Sequence, residues 1–249
     1  MIIDTYEKTE NYEKENTLNS KKLYARDLSF FKFLYDQNLC IIKWMNDNKK
    51  VSSARQAFVL NRLHKAQRFL FSGHNLALSG QCNEANILKR NIIELVISAV
   101  DIMLHSRAWG ETQADKYSFK NCFERVKENE QLNRYHWLII EHGKLSSFWS
   151  HENLKTDRIK SHQFREAEGL VVQELSVGFS HTNPNLWFYF VDFIKLCREI
   201  TQTIDFLFNQ ILQKERIDEW LETKSKFEIF LTKEKNLKNK YNWKDCRES

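Results

Sequence analysis

NEANILKRNIIELVISAVDIMLH, residues 83–105, decides the fold, because its polar side chains gather on one side of a single helix. At 100° per residue, Asn83, Arg90, Glu94, Ser98, Asp101 and His105 share an arc of about 80°. Leu88, Ile92, Ile93, Leu95, Val96, Ala99, Val100, Ile102, Met103 and Leu104 cover roughly 220° of the remainder, far more than the stripe a surface helix needs. Such a helix runs through the middle of a bundle. Its polar ladder either faces solvent through the one gap left by its neighbours or is buried and satisfied by partners. The second alternative predicts an Arg90–Glu94 pair turned to the bundle interior.

The flanking sequence supports helices throughout. One Pro and six Gly in 249 residues, with 18 Phe and 7 Trp, favour long helices over a turn-rich strand fold. Residues 1–20 read as a flexible arm. Apolar residues then recur at helical spacing over 23–45, and Ser52 or Ser53 caps a helix with the seam Val59, Leu63, Ala66, Leu70, Gly73 and Ala77. LSGQCN turns this helix back on the polar-ladder helix. SRAWGETQADK reads as a loop. A short helix around Cys122, another over 132–141 and a further one from near Leu145 follow.

Residues 153–183 break the pattern; FREAEGLVVQELSVGF has the composition of a small β-hairpin or ordered loop. Pro184 opens a long helix to about Gln213, on which Phe190, Phe193, Cys197, Ile200, Ile204, Leu207 and Ile211 step by three and four. Trp187, Tyr189 and Phe206 lie off that seam, which predicts a second neighbour for this helix and, through it, a homodimer. A closing helix over 217–231 leads into the tail. The expectation is a mainly α, antiparallel bundle of six to eight helices in one domain over 21–232, with a tail at 233–249.

Several functions are set aside by what is missing. No glutamate has a histidine three residues later, HExxH is absent, and no GxxxxGK[ST] loop occurs, so no metal or cofactor is expected. Five dispersed cysteines suit reduced thiols in a cytoplasmic protein. No apolar stretch is long enough to span a membrane. The net charge of +5 is modest, but KEKNLKNKYNWKDCRES ends the chain with Lys235, Lys238, Lys240, Tyr241 and Trp243 together. Basic residues interleaved with aromatics hold phosphates and stack bases. A solvated helix end has the same composition.

RYHWLIIEHGKLSSFWSHEN, residues 134–153, gathers His136, His142 and His151 with three serines. Histidine exchanges protons near neutral pH, and hydroxyl neighbours can orient it. Histidines satisfied in a core look no different in sequence. The pairing of RNIIE, Arg90 to Glu94, with LSSFWSH, Leu145 to His151, resembles uncharacterised helical proteins of bacteria and phages of the abortive-infection type. These are in turn similar to the HEPN superfamily. The resemblance spans roughly residues 55–212.

It implies an antiparallel bundle, often a homodimer, in which Arg90, Glu94 and His151 line one internal polar site. It also implies metal-independent action on RNA, or nucleotide binding, in a defence or toxin setting. Enzymes of that superfamily use an Arg and a His separated by four to six intervening residues. Here the only fit is RFLFSGH, Arg68 to His74, with Phe69 where a polar residue is usual. Asp101 on the ladder and His142 complete the candidates. The rival expectation is a non-catalytic helical module that forms a homodimer or binds a protein partner, its ladder serving only to specify packing.

Overall fold

The computed structural model describes residues 6–148, 161–167, 170–175 and 184–214. The chain divides into two compact units, residues 1–207 and 208–249, and of the second only 208–214 are described. The first unit is a mainly α bundle. Its helices are α1 (Tyr6–Leu23), α2 (Ala25–Asp47), α3 (Ala54–Ser79), α4 (Cys82–Leu104), α5 (Ser106–Gln113), α6 (Phe119–Glu128), α7 (His136–Phe148) and α8 (Pro184–Lys214), the last running on into the second unit. A 3-10 turn, Glu130–Tyr135, leads into α7. Strands β1 (Ser161–Ala167) and β2 (Leu170–Leu175) pair antiparallel, with Arg165 opposite Val172, as the β-branched run there led one to expect. No helix among the described residues is long and apolar enough to cross a membrane.

The α3–α4 hairpin is the centre. The Ser53 side chain caps α3 by accepting from the Gln56 amide, and Gly80 ends it in the left-handed conformation, φ 91°, that glycine adopts without penalty. From this turn α4 returns against α3, with α5, α6 and α7 on its other sides. Ile92, Ile93, Val96, Ile97, Ala99, Val100 and Ile102 are all fully buried, which is what an apolar arc of that width requires.

Helix α8 enters the same core by several contacts. Asn38 of α2 donates to the Cys197 carbonyl and accepts from Thr201; Lys89 of α4 reaches Asp192; Tyr135 meets Thr203. These neighbours all belong to the same chain, so intrachain packing alone gives α8 more than one partner. The side chains of Trp187 and Tyr189 lie outside the described residues.

Three local expectations give way. Residues 6–20, expected as part of an arm over 1–20, belong to α1, which packs on α2 and α3 and buries Asn16 and Ser20. Its sequence is polar all round, so no apolar period announces it. SRAWGETQ is helix α5, with Ala108 turned into the core. Residues 136–148 form one helix where two were expected. The anticipated closing helix at 217–231 lies outside the described residues.

Gly73 lies where α3 packs tightly against α8. A Cβ built there would lie 2.6 and 2.7 Å from ring atoms of fully buried Phe193. Gly73→Ala therefore forces the ring to move and should destabilise by about 1–3 kcal/mol. Gly110→Ala meets nothing within 4 Å among the described residues and should stabilise by roughly 0.5–1 kcal/mol through helix propensity. Urea unfolding of both variants checks the contrast, and equal effects would refute the close packing.

Candidate functional site

The polar ladder of α4 is covered by its neighbours, and its two halves are built differently. In the N-terminal half, Arg90 and Glu94 lie one turn apart and α7 brings His142 against both. Arg90 Nε is 3.2 Å from Glu94 Oε1, and His142 Nε2 is 2.7 Å from the same oxygen. The shorter contact places a proton on Nε2, donated to the carboxylate. The 3.3 Å separation between Arg90 Nε and His142 Nε2 is then proximity, since Nε2 has no lone pair left to accept with.

In the neutral ring this leaves Nδ1 as the basic nitrogen. Phe123 of α6 packs against the ring, edge to face at 4.8 Å. Burial pushes the Glu94 carboxyl up, but the hydrogen bond and charge of His142, with those of Arg90, outweigh it and hold Glu94 below the usual carboxylate range. Arg90 keeps a third of its side-chain surface exposed, against 12% for His142. Among the described residues only its Nε is engaged, so the two terminal nitrogens remain as donors on the open side.

The C-terminal half is saturated. Asp101, with no exposed surface, accepts two hydrogen bonds from Arg125 at 2.8 and 2.6 Å, one from the Tyr117 hydroxyl at 2.9 Å and one from His105 Nδ1 at 2.8 Å. Arg125 also reaches Glu111 at 3.0 Å, and Glu111 takes Arg107 as well. Burial, then the neighbouring Cys122 and Asp101, push the Tyr117 hydroxyl far up, so it stays a donor. Ser98 receives Arg62 of α3 at 2.8 Å.

Two important residues of this region stand outside the ladder. Lys89 is about 100° from Arg90 around the helix, on the apolar side, and is 5% exposed. It pairs with Asp192 of α8 at 2.7 Å and lies 3.8 Å from Glu141 of α7. Burial opposes its charge, but Asp192 and Glu141 hold its pKa above the ordinary lysine value. A lone lysine on an apolar face signals a buried cation with a carboxylate to find. Phe123 carried no signal beyond its helical spacing.

The other expected site residues are dispersed. Arg68 is exposed on the outward face of α3, while His74 is buried and stacked on Phe31 with ring centroids 3.9 Å apart. The helix between them is unbroken, so the six-residue step puts them on different faces. Gly73 serves packing against Phe193 and does not loosen the turn. His151 and the tail residues Lys235, Lys238, Lys240, Tyr241 and Trp243 lie outside the described residues, as does the side chain of Asn83. Among the described residues no group of three His, Cys, Asp or Glu is placed to hold a metal ion. No family model, curated protein or solved structure matches the chain. The bearing of the site on function therefore comes from its own geometry.

The two halves should respond differently to truncation. Asp101→Ala leaves a largely buried guanidinium with Glu111 alone and the Tyr117 and His105 donors without their acceptor, and should cost about 3–5 kcal/mol. Arg90→Ala removes a partly solvated ion pair and should cost about 1 kcal/mol or less. Urea unfolding at neutral pH compares them; a loss at Arg90 as large as at Asp101 contradicts the division.

His74 supplies a pH dependence. Burial, with Lys21 nearby, pushes its pKa down from 6.5 to about 4, so the unfolded chain takes up its proton first as pH falls. Stability is then lost from about pH 6.5 downward until the folded form titrates near 4. Between pH 7 and 5 the wild type should lose about 2 kcal/mol more than His74→Phe. Parallel pH profiles for the two proteins would count against a buried neutral imidazole.

Proposed function

We propose that the chain is a metal-independent, HEPN-like ribonuclease whose working residues are Arg90, Glu94 and His142, with His151 as a further candidate. One observation carries this reading. A histidine oriented by a half-buried carboxylate stands beside an arginine whose terminal nitrogens are uncommitted among the described residues. Arg90 offers a phosphodiester two parallel donors, the fork geometry suited to phosphate. His142 Nδ1 accepts the proton of a ribose 2′-hydroxyl, and Glu94 stabilises the imidazolium that forms.

The 2′-oxygen forms a bond to phosphorus and the bond to the 5′-oxygen breaks, leaving a 2′,3′-cyclic phosphate and a 5′-hydroxyl. The departing oxygen takes a proton from a general acid, the role assigned to His151. Arg90 neutralises charge gathering on the phosphate oxygens. A second copy belongs to the same proposal: Ile87 of α4 and Ile140 of α7 are exposed, which is the apolar surface a homodimer would cover. The defence or toxin setting is supported by the family resemblance alone.

The alternative, a non-catalytic module binding a protein partner, is favoured by one specific feature. The Asp101 network is satisfied so fully within the chain that it has structural work to do without any ligand.

The purified protein, incubated with single-stranded RNA in EDTA, should release cyclic-phosphate ends. His142→Gln keeps a donor to Glu94 but removes the base, and should slow cleavage by roughly 10²–10⁴-fold. Arg90→Ala and His151→Ala should also lose most activity, with melting temperatures close to the wild type for Arg90→Ala and His142→Gln. Absence of cleavage by the wild type, or rates indifferent to Arg90 and His142, rejects the reading in favour of the binding module.

A further inference from the structure

The outward face of α3, with Tyr35 of α2, forms a groove of about 550 Å³. That size lies within the range of small-molecule pockets, about 300–1,000 Å³. Lys65 and Arg68 line it together with the rings of Phe69, Phe71 and Tyr35, and among the described residues no carboxylate does. Tyr35 and Phe71 have ring centroids 5.8 Å apart, and Lys65 Nζ stands 5.6 Å from the Phe69 ring centre.

Core packing does not explain the Phe71 ring. The core face of α3 is Leu63, Ala66 and Leu70, all fully buried, whereas Phe71 is 51% exposed. Nor are the cations spent, since among the described residues neither Lys65 nor Arg68 enters an ion pair.

We infer that this groove binds single-stranded nucleic acid, with an unpaired base against Phe71 and Tyr35 and the adjoining phosphates on Arg68 and Lys65. Every base has a π-face, so exposed rings take any of them once the strand is unpaired. Arg68 supplies a bidentate fork for a phosphate, and Lys65 a point charge. A duplex hides its base faces in the stack and offers the rings nothing. The groove does not include the Arg90 cluster, and binding there goes beyond the cleavage reading without requiring it.

Fluorescence anisotropy with the full chain tests this, using fluorescein-labelled 2′-O-methyl U10, dT10 and a blunt RNA duplex, with unlabelled UMP as competitor. Both single strands should bind at low salt and the duplex much more weakly; a preference between the strands shows whether RNA or DNA is taken. Phe71→Ala should weaken single-strand binding about tenfold. Lys65→Ala and Arg68→Ala should each reduce the salt slope by about one. Neither strand carries the 2′-hydroxyl that cleavage needs, so loss of binding at the groove is read separately from loss of cleavage. An affinity indifferent to Phe71, a duplex bound as tightly as the strands, or capture of UMP with no oligomer bound would overturn the inference.

Discussion

Helix α4 is enclosed on nearly every side, and its inward-turned charged groups are matched by neighbours, whereas the buried Asn86 amide has no partner among the described residues. A buried donor or acceptor left alone costs about 1–3 kcal/mol, and an unpaired charge more. This constraint explains why otherwise unrelated helices carry the side chains they do. Arg62 on α3, Arg125 on α6, His142 on α7 and Asp192 on α8 each meet a polar residue of α4. The apolar arc pulls the bundle around α4, and the polar contacts fix how each neighbour sits.

The matching is uneven, and the function proposed follows from that unevenness. At Asp101 the carboxylate oxygens accept four hydrogen bonds from three side chains, so nothing there is left for a ligand. At Arg90 the guanidinium is held, among the described residues, by one nitrogen only. Helix α6 connects the halves: Arg125 anchors it to Asp101, and two residues earlier Phe123 rests on His142. The rigid half thereby fixes one wall of the open half.

What the sequence revealed and what it hid have physical causes. Helices α3, α4 and α8 were legible because each repeats apolar residues over more than twenty positions, and Ser53, Gly80 and Pro184 mark their ends. The Arg90–Glu94 pair follows directly from four-residue spacing on such a helix. Helix α1 was hidden because it is polar all round, and α5 because SRAWGETQ is short and contains glycine. His142 was one histidine among three in its segment. Only the packing of α7 on α4 shows that it, among the described residues, meets Glu94. His74 matched a family spacing yet stacks in the core, because spacing along a chain does not say which way a helix face turns.

The central claim is that the ladder of α4 is closed at Arg125 and open at Arg90. Arginine side-chain NMR on the full protein, titrated with a non-cleavable 2′-deoxy dinucleotide, tests it most directly. The account predicts that the Arg90 Nη–H resonances shift with ligand, while those of Arg125 keep their positions and slow exchange. Movement of Arg125 as large as that of Arg90, or no response from Arg90, would contradict it.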